Sequence, residues 1–304
     1  MTFNQNNVHY LLIDGTPCLY RAYYSSLFLK NNSNVPSGAI YGFINTLKKL
    51  SFQYPKTKII LIFDSPTKTF RHTLFNSYKL NRPKMPQNLR VQVEPLYKII
   101  KMIGFPVITV PYYEADDIIG TLACEAEKNK KFTLISTNDK DFAQLVSINI
   151  KILETKSNKI LGIEEMKKRY GINPTLIPDL FGLMGDRSDN IPGIPGIGKK
   201  TATFLLKTFG SLKNIYINTN EITNHPLRGA KNIVKKLIKN KNLAFISKNL
   251  ATIRTDVSMQ KSLNELKMFE PSIHELLNIF KHYKFYNFVK LLKQGKLVKY
   301  NTIS

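Results

Sequence analysis

The chain has 304 residues, 43% of them hydrophobic, enough for a packed core without disulfide or metal staples. Lysine and arginine outnumber aspartate and glutamate 45 to 21, a formal net charge of +24, which suits a polyanionic partner bound through counterion release. No apolar run approaches the ~18 residues that span a bilayer, and residues 1–7 are polar with no leader pattern. A membrane-spanning helix is excluded and a cytoplasmic protein is expected. The two cysteines, Cys18 and Cys124, lack metal-ligand spacing and read as small buried hydrophobes of a reducing compartment.

In chain order, Val8 to Ile13 reads as a buried strand ending in Asp14-Gly15. Thr16-Pro17 then opens a helix, with Thr16 as its N-cap. Ser37-Gly38 opens a second helix to about residue 52. Lys58 to Phe63 is a second strand, ending at Asp64. Residues 86–103 have helical periodicity, 105–110 form a third strand, and 113–128 a helix. Strands at 131–136 and 148–153 follow, separated by Asn138-Asp139-Lys140-Asp141. Strands alternating with helices argue for a mostly parallel central sheet flanked by helices, an α/β fold of PIN-like or resolvase-like type. After about residue 163 the pattern turns helical: 163–170, 174–185, 198–209, 226–238 and 271–293. The expected division is a catalytic unit at 1–163 and a helical unit at 164–304.

Acidic residues are scarce, so their placement is informative. Asp14, Asp64, Glu114, Asp116, Asp117, Asp139, Asp141, Asp186 and Asp189 sit after apolar runs or at helix starts. The carboxyl ends of parallel strands are where ligands of such sheets bind. Acids gathered there repel unless cations lie between them. Hard divalent ions prefer such oxygen ligands, and a pair of them can clamp an in-line displacement at phosphorus. The five histidines are scattered and form no competing device.

Five separated strings carry a resemblance: Leu12-Ile13-Asp14-Gly15, Ile62-Phe63-Asp64, Glu114-Ala115-Asp116-Asp117-Ile118-Ile119-Gly120, Ser136-Thr137-Asn138-Asp139-Lys140-Asp141 and Gly185-Asp186-Arg187-Ser188-Asp189-Asn190-Ile191-Pro192-Gly193. From about residue 8 to residue 290 the chain resembles the 5′-nuclease family. That family includes the amino-terminal domain of bacterial DNA polymerase I, phage 5′-exonucleases and flap endonucleases, and the polymerase I nuclease domain is the nearest of these. The resemblance implies two divalent metal ions, Mg²⁺ or Mn²⁺. Asp14, Asp64, Glu114, Asp116 and Asp117 would serve the first, and Asp139, Asp141, Asp186 and Asp189 the second.

It also implies a helical arch over about 65–90. There Lys79 and Arg82 would act on the charge developing at phosphorus, and Tyr78 would stack on a base near the cut. Arg21 is a further candidate for the substrate phosphate. Ile194-Pro195-Gly196-Ile197-Gly198-Lys199-Lys200-Thr201-Ala202 looks like a helix-hairpin-helix, within about 191–210. Gly196, Gly198, Lys199, Lys200 and Thr201 would then grip the duplex backbone, with K⁺ on the motif's carbonyls. Gly193 to Lys199 also fits a Walker-type start. Lys200 stands where Ser or Thr is needed, though, and no strand precedes it.

The expected partner is nicked, flapped or otherwise branched DNA, including RNA–DNA primer junctions, cut by a monomer. No polymerase domain follows, so a complete standalone nuclease beside a separate DNA polymerase is expected. Primer removal, lagging-strand maturation and excision repair are implied by the resemblance. The alternative is a relative that binds DNA without cutting, which loss of an acid would favour; all nine are present.

Overall fold

The computed structural model describes residues 7–26, 29 and 35–299. Six strands form one sheet in the order β3-β2-β1-β4-β5-β6. They are β1 (Tyr10–Asp14), β2 (Lys58–Ile62), β3 (Val107–Ile108), β4 (Thr133–Thr137), β5 (Ile150–Glu154) and β6 (Lys159–Leu161). The first five run parallel, and β6 turns back antiparallel on β5. The central strands β1 and β4 are buried along their whole length, because a parallel sheet covered on both faces needs continuous apolar runs. Strand order reverses at β1, which lies between β2 and β4. Connections leave opposite ways there and open a crevice at the strand ends.

One face carries α1 (Gly15–Ser25), α2 (Gly38–Gln53) and α4 (Gln87–Ile103), packed on Leu11, Ile13, Ile59, Leu61, Phe63 and Leu134. The other carries α5 (Ala115–Lys128) on Leu12, Ile60, Ile62 and Ile135. That second core continues without a break into α6 (Ile163–Tyr170), α7 (Ile177–Met184), α8 (Lys199–Phe209), α9 (Leu212–Ile217), α10 (Ala230–Lys239) and α11 (Lys241–Ala251). The short α3 (Phe70–Leu74) lies between β2 and α4. The last helices, α12 (Ile273–His282) and α13 (Tyr286–Lys293), cross back to the first face. There Leu276, Phe280 and Phe288 join the core of α2 and α4. Among the described residues no helix is long and apolar enough to cross a membrane.

Several sequence readings shift. Gly15, not Pro17, is the first residue of α1, and Thr16 is not its N-cap. The Thr16 hydroxyl instead accepts the Asp64 N–H at 3.2 Å. A Cβ at Gly15 would lie 2.6 Å from the Phe63 ring and 2.7 Å from the Ile62 carbonyl, so only glycine lets the helix start this close to β2. The third strand shrinks to two residues between Pro106 and Pro111, which offer no ladder donor. The helix read at 271–293 is two, broken where Lys284 adopts φ 58°. The helix read from 226 starts at Ala230, after Gly229 at φ 75°. β6, α9 and α11 were not foreseen.

Candidate active site

Parallel register sets Asp14 at the end of β1 beside Thr137 at the end of β4. The Thr137 hydroxyl donates to Asp14 Oδ2 at 2.8 Å and accepts the Asp139 N–H at 3.0 Å, so one side chain positions two acids. Asp64, one strand over, accepts the Ala115 N–H at 2.9 Å and ties β2 to the first turn of α5. Glu114 is the N-cap residue of α5, and Asp116 follows in its first turn, where the helix dipole favours negative charge. Asp139 Oδ1 accepts the Asp141 N–H at 3.0 Å. Asp186 and Asp189 lie on a loop closed by the reciprocal bonds of Asp186 and Ile191, at 2.9 and 2.8 Å. Gly185 and Gly193 make that closure possible: both have positive φ, and a Cβ on Gly193 would meet the Gly185 nitrogen at 2.1 Å.

The structure brings Asp141, Asp186 and Asp189 together, with one oxygen of each within 4.8 Å of the others, all three buried. Unit charges that close repel by roughly 3 kcal/mol per pair at an effective dielectric of about 20. Burial first, and then the charges of Asp139, Asp189 and Asp186, push the Asp141 carboxyl well above the usual range. Its Oδ1 is buried with no hydrogen-bond partner among the described residues. Three hard oxygen donors, one of them unsatisfied, fit a divalent cation.

The remaining acids adjoin this trio. Burial and then Asp64 raise Asp14, burial and then Asp139 raise Asp116, and burial is the main cause of a raised Asp139, which Asp189 reinforces. Glu114 behaves differently. Burial opposes its charge, but Lys79 and Arg71 hold its carboxyl below the usual range.

Asp117 does not face this cluster freely. Both its oxygens are taken by Arg71, Nη1 to Oδ2 and Nη2 to Oδ1 at 2.7 Å each, and Oδ1 also accepts the Arg254 N–H at 2.8 Å. Arg71 continues to the carbonyls of Leu250 and Thr252, both at 2.8 Å. Nothing local in the sequence marks Arg71 for burial.

The basic partners are placed unevenly. Lys79 lies 2.9 Å from Glu114 Oε1 and 3.6 Å from Asp189 Oδ2. Its backbone sits at φ 54°, uncommon for a lysine, and its N–H donates to the Asp189 carbonyl at 2.9 Å. Arg82 meets Asp189 Oδ1 at 2.5 Å. The Asn190 side chain reaches the Ser77 carbonyl at 2.6 Å and Asn81 reaches that of Arg187 at 2.9 Å, so the 77–82 turn and the acid loop form one unit.

Tyr78 is buried and donates to Glu114 Oε2 at 3.1 Å, with His72 edge-on to its ring. A ring in the core cannot stack on a base, which corrects the role expected for it. Arg21 is hydrogen-bonded to Thr155 and lies 3.6 Å from Cys18 Sγ. Cys18 is buried, and burial pushes its thiol up to about 11. Lys140, which the sequence reading passed over, reaches Asp186 Oδ1 at 2.5 Å.

In the second half, Gly196 (φ 78°), Gly198, Lys199 and Lys200 are exposed ahead of or at the start of α8, with Thr201 half-buried. Lys199 lies over the Tyr170 ring at 5.5 Å, and Lys236 Nζ reaches the Gly196 carbonyl at 3.4 Å.

A family model described as 5′-3′ exonuclease, N-terminal resolvase-like domain, matches residues 9–171. Its companion, 5′-3′ exonuclease, C-terminal SAM fold, matches residues 172–274. The chain belongs to the 5′-3′ exonuclease family. A 5′-3′ exonuclease of Buchnera aphidicola subsp. Baizongia pistaciae is 56% identical over 299 residues, covering 98% of this chain and 99% of that one. DNA polymerase I of Pseudomonas aeruginosa is 41% identical over 288 residues, 94% of this chain but 32% of the polymerase. Among solved structures, T5 5′-exonuclease with bound zinc superposes with a TM-score of 0.64 at 18% identity, covering 95% of this chain and 98% of that one. The catalytic core of Rad2 in complex with DNA substrate gives 0.62 at 16%, covering 96% and 95%. These superpositions agree with the fold the family models describe, a resolvase-like α/β unit and a helical SAM-fold unit. The protein is a nuclease, with an acidic cluster fit for metal.

Proposed function

We propose that the protein is a structure-specific 5′-3′ exonuclease and 5′-flap endonuclease. It hydrolyses phosphodiesters at the 5′ end of nicked or flapped duplex DNA and of RNA primers, leaving a 5′-phosphate. The carrying observation is the buried trio Asp141, Asp186 and Asp189 with its unsatisfied oxygen, continuous with Asp14, Asp64, Glu114, Asp116 and Asp139. These eight acids would hold two divalent ions, Mg²⁺ or Mn²⁺, which supply Lewis-acid charge and an activated water for in-line attack. Asp117 supports them at one remove by fixing Arg71 beside Glu114.

The chain's cations complete the site. Lys79 and Arg82 are fixed at the acid edge, where they would meet the charge developing on a scissile phosphate. The exposed turn at Gly196–Gly198 and the start of α8 present backbone N–H groups and Lys199 and Lys200 to a duplex phosphate. A K⁺ ion on the turn's carbonyls belongs to the same reading, with Lys236 already at one of them. The reading extends to a cytoplasmic monomer that removes primers in replication and excision repair; a 5′-3′ exonuclease relative matched over 99% of its length, beside a match to only 32% of DNA polymerase I, favours a nuclease that works with a separate polymerase. The test uses 5′-labelled flap, nicked and blunt duplexes, with Mg²⁺ and with chelator. Mg²⁺-dependent products ending in a 5′-phosphate, released from flap and nick ahead of blunt ends, are expected. Cleavage that ignores the chelator or the junction overturns the reading.

A further inference from the structure

The second acidic group already holds a cation. Lys140 Nζ lies 2.5 Å from Asp186 Oδ1 and 3.1 Å from Ser188 Oγ, with its charge 5.4 Å above the centre of the Phe181 ring. Ser188 holds the same carboxylate from its other side, its hydroxyl donating to Oδ2 at 2.7 Å and its N–H to Oδ1 at 3.1 Å. Asp186 is buried, whereas the Lys140 side chain is 40% exposed. The acid is therefore fixed and the cation has a path into solvent. Lys79 contrasts with it, only 15% exposed and pinned through its backbone.

We propose that Lys140 is a built-in counter-ion of the Asp141–Asp186–Asp189 group, on Asp186 as Arg82 is on Asp189, competing with a divalent ion for Asp186 and so lowering that group's metal affinity. The inference rests on the metal-site reading above. Lys140 neutralises part of a charge cluster that would otherwise repel itself, keeping the acids gathered without metal. A divalent ion that takes Asp186 displaces the ammonium, and the approaching DNA phosphate is the anion best placed to receive it. Ion binding at this group and DNA binding then favour each other, and linkage makes that coupling reciprocal. Lys140 is a positioning residue here, acting through Asp186.

The test measures Mn²⁺ binding to the full chain, without DNA, by the loss of the free-ion paramagnetic resonance signal. Lys140→Met keeps the stem on Phe181 and removes the charge. It is expected to tighten the weaker Mn²⁺ site about fivefold, the scale of one ion pair of about 1 kcal/mol. Lys140→Arg, which keeps the charge, is expected to bind like the parent. Adding an uncleavable flap duplex should tighten that site in the parent and much less in Lys140→Met. Unchanged or weaker Mn²⁺ binding in Lys140→Met overturns the proposal, leaving Lys140 to orient Asp186 or touch phosphate. Asp141→Asn and Asp186→Asn separate the two levels. If neither lowers the number of ions bound, the metal site itself is misread; if they do while Lys140→Met changes nothing, only the counter-ion role fails.

Discussion

Arg71 and Asp117 form a two-pronged pair, both contacts 2.7 Å, with side chains 2% and 0% exposed. It joins the chain before the 77–82 turn to the acid-bearing α5, and Arg71 extends it to the end of α11. Breaking one side strands a buried charge, which typically costs 3–5 kcal/mol. Arg71→Met and Asp117→Ala are each expected to lose about that much in urea unfolding. Combining Arg71→Met with Asp117→Leu should recover part of it, since both charges of the pair are then gone while Glu114 keeps Lys79. A single variant within about 1 kcal/mol of the parent contradicts the burial of this pair.

Asp139→Ala and Asp141→Asn should lower single-turnover flap cleavage by about a hundredfold or more, the scale seen when one preorganised charge-stabilising group is removed. Duplex binding in calcium, followed by anisotropy, should survive in both. Parallel loss of binding would place these acids in the fold instead of the chemistry.

Lys79→Ala should slow cleavage more than it weakens binding, because its ammonium faces the acids and not the open surface. Tyr78→Phe removes only the hydroxyl that donates to Glu114. A loss of roughly 1.5–3 kcal/mol in stability is expected, the range for a hydrogen bond to a charged group. Flap affinity should not change. Affinity that falls with Tyr78→Phe would return the residue to the DNA surface.

Lys199→Ala and Lys200→Ala are expected to weaken duplex binding equally across sequences and to reduce the slope of log K against log salt by about 1 each. A titration series in KCl at three duplex sequences measures both. An unchanged slope takes the α8 start out of the DNA footprint.

Four acids of the cluster, Asp14, Asp116, Asp139 and Asp141, have their carboxyls raised. The folded chain then keeps protons that the unfolded chain has released, so metal-free stability must fall as pH rises from the usual carboxylate range upward. Each extra bound proton contributes up to about 1.4 kcal/mol per pH unit. Glu114 and Asp186 are lowered, and their contribution disappears only when pH drops through and below the usual carboxylate range. Urea midpoints in chelator should decline as pH rises above the usual carboxylate range. Excess Mg²⁺ should stabilise more at higher pH, where it no longer competes with protons.

The acids at strand ends were legible because a parallel strand is an unbroken apolar run, and the residue that ends it must face the crevice. Asp14, Asp64 and Asp139 follow from that alone. Asp116 and Asp117 were not separable by eye, yet successive helix residues point about 100° apart. One turns to the cluster and the other to Arg71. Tyr78 looked like a loop aromatic because its neighbours are Lys79, Leu80, Asn81 and Arg82. Its burial depends on Glu114, 36 positions on, and such a contact leaves no local trace. Lys140, between two aspartates, reads as a solvated lysine until the loop carrying Asp186 folds over it.

The return of α12 and α13 to the face built by α2 and α4 also bears on synthesis. A ribosome delivers the sheet, the acids and α2 and α4 first, and the helices that pack on α4 and on Tyr41 of α2 much later. Until then the nascent nuclease carries an open apolar flank, the kind of surface that recruits chaperones and drives aggregation. Completion of the fold is therefore postponed to nearly the last helix translated, and a ribosome stalled before Ile273 would hold out an adhesive intermediate in place of a working half.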